Sequence, residues 1–301
     1  MEGSLSVSNN EKRTYYANSA VGIVSGYSAY KYLPKYIRKP YSKYFLGKCK
    51  KITSFENNRY WNSAISAFRN SRFFNNNLQI VNLNDANWEA VADNIVEKRS
   101  EFIEKCKNNP VKRIISKIFS ISNATLKSKI KVVAEGENAC FVPLTSQVLV
   151  NSEKMGITAF HEIGHFINKN GTGIRKFLSN SRAISILALP AILAIGLFTP
   201  KREKGDEYQN PIGQTATFIK KHCGVLAALS MLPVVVEEGA ASINGAKLAK
   251  TVLDKGMYKK LNKLNTLAFG SYALGAATIG LCAALAVHIK DLMTGTAPRK
   301  N

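Results

Sequence analysis

The run from Leu267 to Val287 holds 21 residues without a charge, and it narrows what the backbone around it can do. A helix rises about 1.5 Å per residue, so such a run reaches across a hydrocarbon layer of roughly 30 Å. In lipid a peptide group finds no water, and within a single segment only a helix satisfies its own N–H and C=O groups. Two further apolar stretches precede it, Ala183 to Phe198 and Cys223 to Val236, the three separated by lysine-rich loops. Either one alone would suit the core of a water-soluble protein. Three in close succession favour membrane insertion, with a hydrophobic hairpin over residues 183–236 and a further hydrophobic helix over 267–287.

Charge points the same way without choosing a partner. The 42 Lys and Arg against 20 Asp and Glu give a formal +22, a field that attracts anionic lipid headgroups or nucleic acid. No RNA-binding or DNA-binding module is recognisable, so a basic nucleic-acid-binding protein is the weaker reading and nucleic acid an unlikely partner. The five cysteines form no C-x-x-C pair and are odd in number, which fits free thiols in a reducing compartment. The first residues lack a basic segment followed by an apolar run and a cleavage site, so they are expected to belong to the mature chain.

Along the chain, residues 31–51 interleave tyrosine and phenylalanine with lysine and arginine around two prolines, either an aromatic-basic surface or a solvated basic loop. From Asn84 to Lys107 apolar residues recur at helical spacing, and a second amphipathic helix is predicted from Val111 to about Ile121. The period then changes. The segments 130–135, 138–143 and 146–151 are short, rich in β-branched residues and separated by glycine or proline, which predicts a small antiparallel sheet.

Directly after that sheet stands "FHEIGHF", residues 160–166. On a helix, positions i and i+4 share a face, so His161 and His165 can aim their imidazoles at one ion. Glu162 is placed to take a proton from water at that ion and pass it to a leaving amine. The flanks are apolar, so the helix is buried, and a buried glutamate between two histidines needs a reason. A catalytic zinc site wants a third protein ligand. The residues after His165, "FINKNGTG", supply no third histidine, whereas "LPVVVEEGAASINGAKLAK" (232–250) supplies Glu237 and Glu238 followed by small residues that let a second helix come close. Adjacent residues on a helix point in different directions, so one of the two is expected to bind.

"HEIGH" followed by "EGAAS", an E-x-x-A-S pattern that begins at Glu238, resembles the gluzincin membrane metallopeptidases: the family of HtpX and the CAAX prenyl endopeptidase, and the neutral zinc metallopeptidases of YugP type. The resemblance implies that Glu238 is the third ligand and that Ser242 orients a ligand histidine. "NACFVPLTSQVLVN" is similar to the segment preceding the motif in HtpX-like enzymes, which implies that Asn138, Ala139 and Cys140 belong to a strand that pairs with substrate backbone. The match covers roughly residues 138–250.

The expected fold is therefore α+β and mostly helical: a zincin-like core of a small antiparallel sheet, the HExxH helix and a glutamate-donating helix, joined to transmembrane helices. Residues 1–130 form a basic helical region, 131–250 the core interrupted by the hairpin, and 251–301 a C-terminal region with its own hydrophobic helix. The expected function is hydrolysis of peptide bonds in a protein or peptide substrate by a Zn2+ enzyme in contact with membrane lipid. Basic residues flanking the motif place the active site on the cytoplasmic side. The alternative is a catalytically inactive membrane scaffold.

Overall fold

The computed structural model describes residues 20–29, 31–32, 37–106, 108, 121–201 and 210–294. They form a mostly helical protein with one three-stranded sheet. In chain order the elements are α1 (Ala20–Ala29), α2 (Arg38–Cys49), α3 (Ser54–Arg69), β1 (Gln79–Asn82), α4 (Trp88–Cys106), α5 (Asn123–Ala134), β2 (Cys140–Val142), β3 (Gln147–Val150), α6 (Ser152–Met155), a single 3-10 turn (Gly156–Thr158), α7 (Ala159–Lys169), α8 (Ile174–Phe198), α9 (Pro211–Lys221), α10 (Cys223–Ser230), α11 (Leu232–Ala249) and α12 (Lys255–Thr294). They group into two compact units. A sheet unit comprises Tyr44–Ser179 with Glu237–Phe269, and an apolar unit comprises Asn180–Val236 with the described parts of Met1–Lys43 and Gly270–Asn301.

In the sheet unit, α3 begins at Thr53, whose hydroxyl accepts from Glu56 N at 3.2 Å. Its Asn57, Tyr60, Trp61, Ala64, Ala67 and Phe68 are buried, a helical stripe that shares one core with Phe160, Ile163, Phe166 and Ile167 of α7. The described residues from Tyr44 to 130 are thus part of the body that holds the histidine motif, whereas those before Tyr44 group with the apolar unit. Asn57 also fixes the approach to α7: its Oδ1 accepts from Ile157 N at 3.2 Å in the turn that leads into the helix. Asn151 caps α6 by accepting from Glu153 N and Lys154 N, and donates to Ala134 O at 2.6 Å. The strand and the motif helix are therefore joined by a connection with its backbone groups spoken for.

The sheet runs β1-β3-β2, with β1 parallel to β3 and β2 antiparallel to it. Two of the three predicted strands are present; the segment 130–135 is not a strand but the end of α5. Ser122 caps that helix by accepting from Thr125 N at 3.1 Å, and Ile130, Val133 and Ala134 are buried at i, i+3, i+4. Tertiary burial at helical spacing outweighs the β-branched content. The third strand is β1, from the asparagine-rich stretch before α4, and the sheet is mixed rather than antiparallel. The helix predicted from Asn84 is present as α4; the one predicted from Val111 lies outside the described residues.

Among the described residues, three helical segments are long and apolar enough to cross a membrane: Ile174–Phe198, Cys223–Ala249 and Lys255–Met293. The second is longer than the apolar stretch 223–236 because α10 continues through Met231 into α11. In the apolar unit large apolar side chains face outward, with Ile184 53% and Val225 61% exposed. Polar ones face inward: Ser181, Ser185, Thr278 and Lys290 are buried.

Candidate metal centre

Every residue of α7 from Ala159 to Asn168 is buried. One neighbour makes that possible. A Cβ on Gly164 would fall 2.0 Å from the carbonyl oxygen of Ala241, and one on Gly245 would fall 2.3 Å from that of Phe160. With a glycine on each helix, α7 and α11 meet backbone to backbone, closer than any larger residue permits. The side chains beside the contact converge. His161 Nε2 lies 3.1 Å from His165 Nε2 and 3.2 Å from Glu238 Oε2, and His165 Nε2 lies 3.3 Å from the same oxygen. Ligand atoms bound at 2.0–2.1 Å around a tetrahedral ion stand about 3.3–3.4 Å apart. The triangle has the size of one face of that tetrahedron, and two imidazoles with a carboxylate are a donor set that zinc accepts. These three residues can hold a metal.

The outer nitrogens are also taken. His161 Nδ1 lies 3.0 Å from Ser242 Oγ, and His165 Nδ1 lies 2.9 Å from Glu237 Oε1. A carboxylate only accepts, so His165 Nδ1 is the donor and Nε2 is the nitrogen turned to the triangle; the tautomer follows from the network. Asn168 Nδ2 donates to Glu237 Oε1 at 3.2 Å and to Glu237 O at 3.3 Å, and Asn244 Nδ2 donates to Asn168 Oδ1 at 2.6 Å. The chain Asn244, Asn168, Glu237, His165 fixes one ring, and Ser242 faces the other. Burial alone would lower the pKa of His165, but its bonds to Glu237 and Glu238 outweigh that and hold the metal-free imidazole at about 10.

Glu162 is buried beside the triangle. Burial pushes its pKa up, while His161, His165 and a backbone hydrogen bond from Phe141 pull the other way. Phe141 sits in β2, at the edge of the sheet, so an edge strand touches the carboxylate of the motif helix. Of the residues expected on that strand, Cys140 begins it and is half-buried, whereas Asn138, exposed, and Ala139, buried, come before it. Burial, with Glu162 nearby, pushes the Cys140 thiol up to about 12, which keeps it neutral and unsuited to act as a ligand or nucleophile.

The structure thus brings together His161, Glu162, His165, Glu238 and Ser242. It adds Asn168, Asn244 and the Phe141 amide, which sequence inspection did not single out, and gives Glu237, a candidate ligand by sequence, a place on the outer nitrogen of His165. Asn168 had a signal: it lies three residues after His165 and seven after His161, on the same helix face. Comparison with family models, with curated proteins and with solved structures found no match.

Proposed function

We propose that the protein is a membrane-associated zinc peptidase with a zincin-like core of gluzincin type, in which His161, His165 and Glu238 hold the ion. The observation that carries this reading is the triangle of two Nε2 atoms and one carboxylate oxygen, with each outer ring nitrogen anchored and a buried glutamate beside it. Zinc in such a site polarises a carbonyl and lowers the pKa of water. Glu162 takes a proton from the attacking water at its carboxylate and returns it to the leaving amine; its raised pKa suits a group that must hold the proton between those events. The Phe141 N–H holds that carboxylate in place, and the outer edge of β2 is positioned for an extended peptide to pair with. Glu237 and Ser242 keep the histidine rings in orientation and do not react.

Three helices long and apolar enough to cross a membrane support a membrane-associated enzyme, and the basic flanks of the motif, with Arg175 and Lys176 after it and Lys247 and Lys250 near the end of α11, favour an active site on the cytoplasmic side. The deciding experiment is zinc per chain in detergent-purified protein, beside cleavage of a quenched fluorescent peptide library. About one zinc per chain in wild type, near none in Glu238→Ala, and zinc without cleavage in Glu162→Gln are the expected results. Wild-type protein that takes up no zinc on supplementation overturns the proposal.

A further inference from the structure

The apolar unit contains a cavity of 720 Å³ where the ends of its helices meet, beyond Phe198 of α8, at the start of α10 and near the end of α12. Its volume lies within the range of about 300–1,000 Å³ typical of small-molecule sites. Its lining combines two chemistries: α12 supplies the apolar Leu281, Ala284, Leu285 and Val287, and Lys201, Lys220 and Lys221 come from other segments. The acidic side chain in the lining, Asp291, is already engaged: Lys220 Nζ lies 2.8 Å and Lys290 Nζ 2.7 Å from its Oδ1. An incoming anion meets a neutralised aspartate and a surplus of ammonium groups. Lys290 is held in turn by donating to Thr199 O at 2.8 Å, so the cationic side rests on a fixed frame.

A second feature sets the kind of anion. Helix α9, which supplies Thr217, Lys220 and Lys221 to the lining, exposes Ile212 at 83% and Phe218 at 57%. It starts from an Asn210 cap that accepts from Gly213 N at 2.7 Å and ends in two lysines. Exposed apolar side chains with lysines at one end describe a helix that lies in the interface of a bilayer. A cavity beside it, at the ends of membrane-length helices, stands at headgroup depth.

We propose that this cavity seats an anionic phospholipid, its phosphate among Lys201, Lys220 and Lys221 and the first part of an acyl chain along Leu281, Leu285 and Val287. The site is independent of the metal centre and of any peptidase activity.

The test uses the full chain in neutral detergent, titrated with dioleoyl phosphatidylglycerol, with bound lipid counted by native mass spectrometry. One tightly held lipid is expected. Lys201→Gln/Lys221→Gln, which changes exposed lysines, should bind it about thirty-fold more weakly, near fivefold per lysine at a membrane surface. A control of equal charge loss, Lys105→Gln/Lys129→Gln in α4 and α5, should bind it as wild type does. Dioleoyl phosphatidylcholine and inorganic phosphate, each run alone and in competition, separate the possible sources of the phosphate. Equal binding of phosphatidylcholine, full displacement by inorganic phosphate at matched concentration, or equal weakening in both double variants overturns the proposal.

Discussion

The two units of this chain solve burial in opposite senses. In the sheet unit the apolar side chains of α3 and α7 form the interior, and the polar groups that go inside with them, His161, Glu162, His165, Asn168, Glu237 and Glu238, meet hydrogen-bonding or charged partners. In the apolar unit Ile184, Leu187 and Val225 face out, while Ser181, Ser185, Thr278 and Lys290 face in beside a small core around Leu197, Ala283 and Val287. Hydrophobic burial in water drives the first arrangement. The second suits surroundings that are themselves apolar, where polar groups gain by turning towards one another. Buried charge is also used differently in each: in the sheet unit it gathers at the candidate metal centre, and in the apolar unit Lys290 ties helix ends together through Thr199.

Several changes would sharpen or break that contrast. The largest effect belongs to Glu162→Gln, which is nearly isosteric: peptide cleavage should fall roughly 10²–10⁴-fold with zinc content unchanged, read by turnover and metal analysis on the same preparation. Unchanged cleavage would remove Glu162 from the chemistry. Next, an arginine at Leu187, outward-facing near the middle of α8, should cost about 2.5–3.5 kcal/mol of insertion free energy, whereas Phe55→Arg, at a still more exposed position in the sheet unit, should cost under about 0.5 kcal/mol. Equal costs in an insertion assay would mean that both units face water. Gly164→Ala should lose about 1–3 kcal/mol of thermal stability and loosen metal binding, because the new Cβ meets the Ala241 carbonyl.

Smaller effects probe the support around the ligands. Glu237→Gln keeps the volume and should weaken zinc affinity about 10–100-fold, measured by chelator competition; an affinity equal to wild type would make Glu237 a bystander. The pH dependence has a definite sign. Because the metal-free His165 holds its proton up to about pH 10, zinc must displace that proton, and affinity should rise roughly tenfold per pH unit between pH 6 and 8. A flat profile over that window would show that no proton is exchanged.

The metal triangle was legible to the degree that it is local. His161 and His165 are four apart on one helix, and no long-range knowledge is needed to place them together. Glu238 and Ser242 came from resemblance to a family pattern, and the geometry puts both beside His161. Because two neighbours on a helix diverge by about 100°, only one of Glu237 and Glu238 is expected to bind the ion. That divergence is what the site uses: Glu238 faces the Nε2 side of His165 and Glu237 the Nδ1 side. Strand β1 left no trace in the pattern, since four residues among asparagines carry little periodicity and the strand's partner is Gln147–Val150, far along the chain. Segment 130–135 was misread for the converse reason, as isoleucine and valine at helical spacing look like a strand when only six residues are weighed. The apolar helices were legible from length and charge, yet nothing in the sequence marks Lys290 as fully buried.

The bond from Lys290 to Thr199 also sets an order of events during synthesis. Its two residues are 91 apart in the chain, so at about 5–20 residues per second the ribosome needs about 5–18 s to supply the lysine after the carbonyl has been made. Through that interval the first apolar helix has its end without the group that finally ties it down. Until α12 has been made, the Thr199 carbonyl must find its hydrogen bond elsewhere.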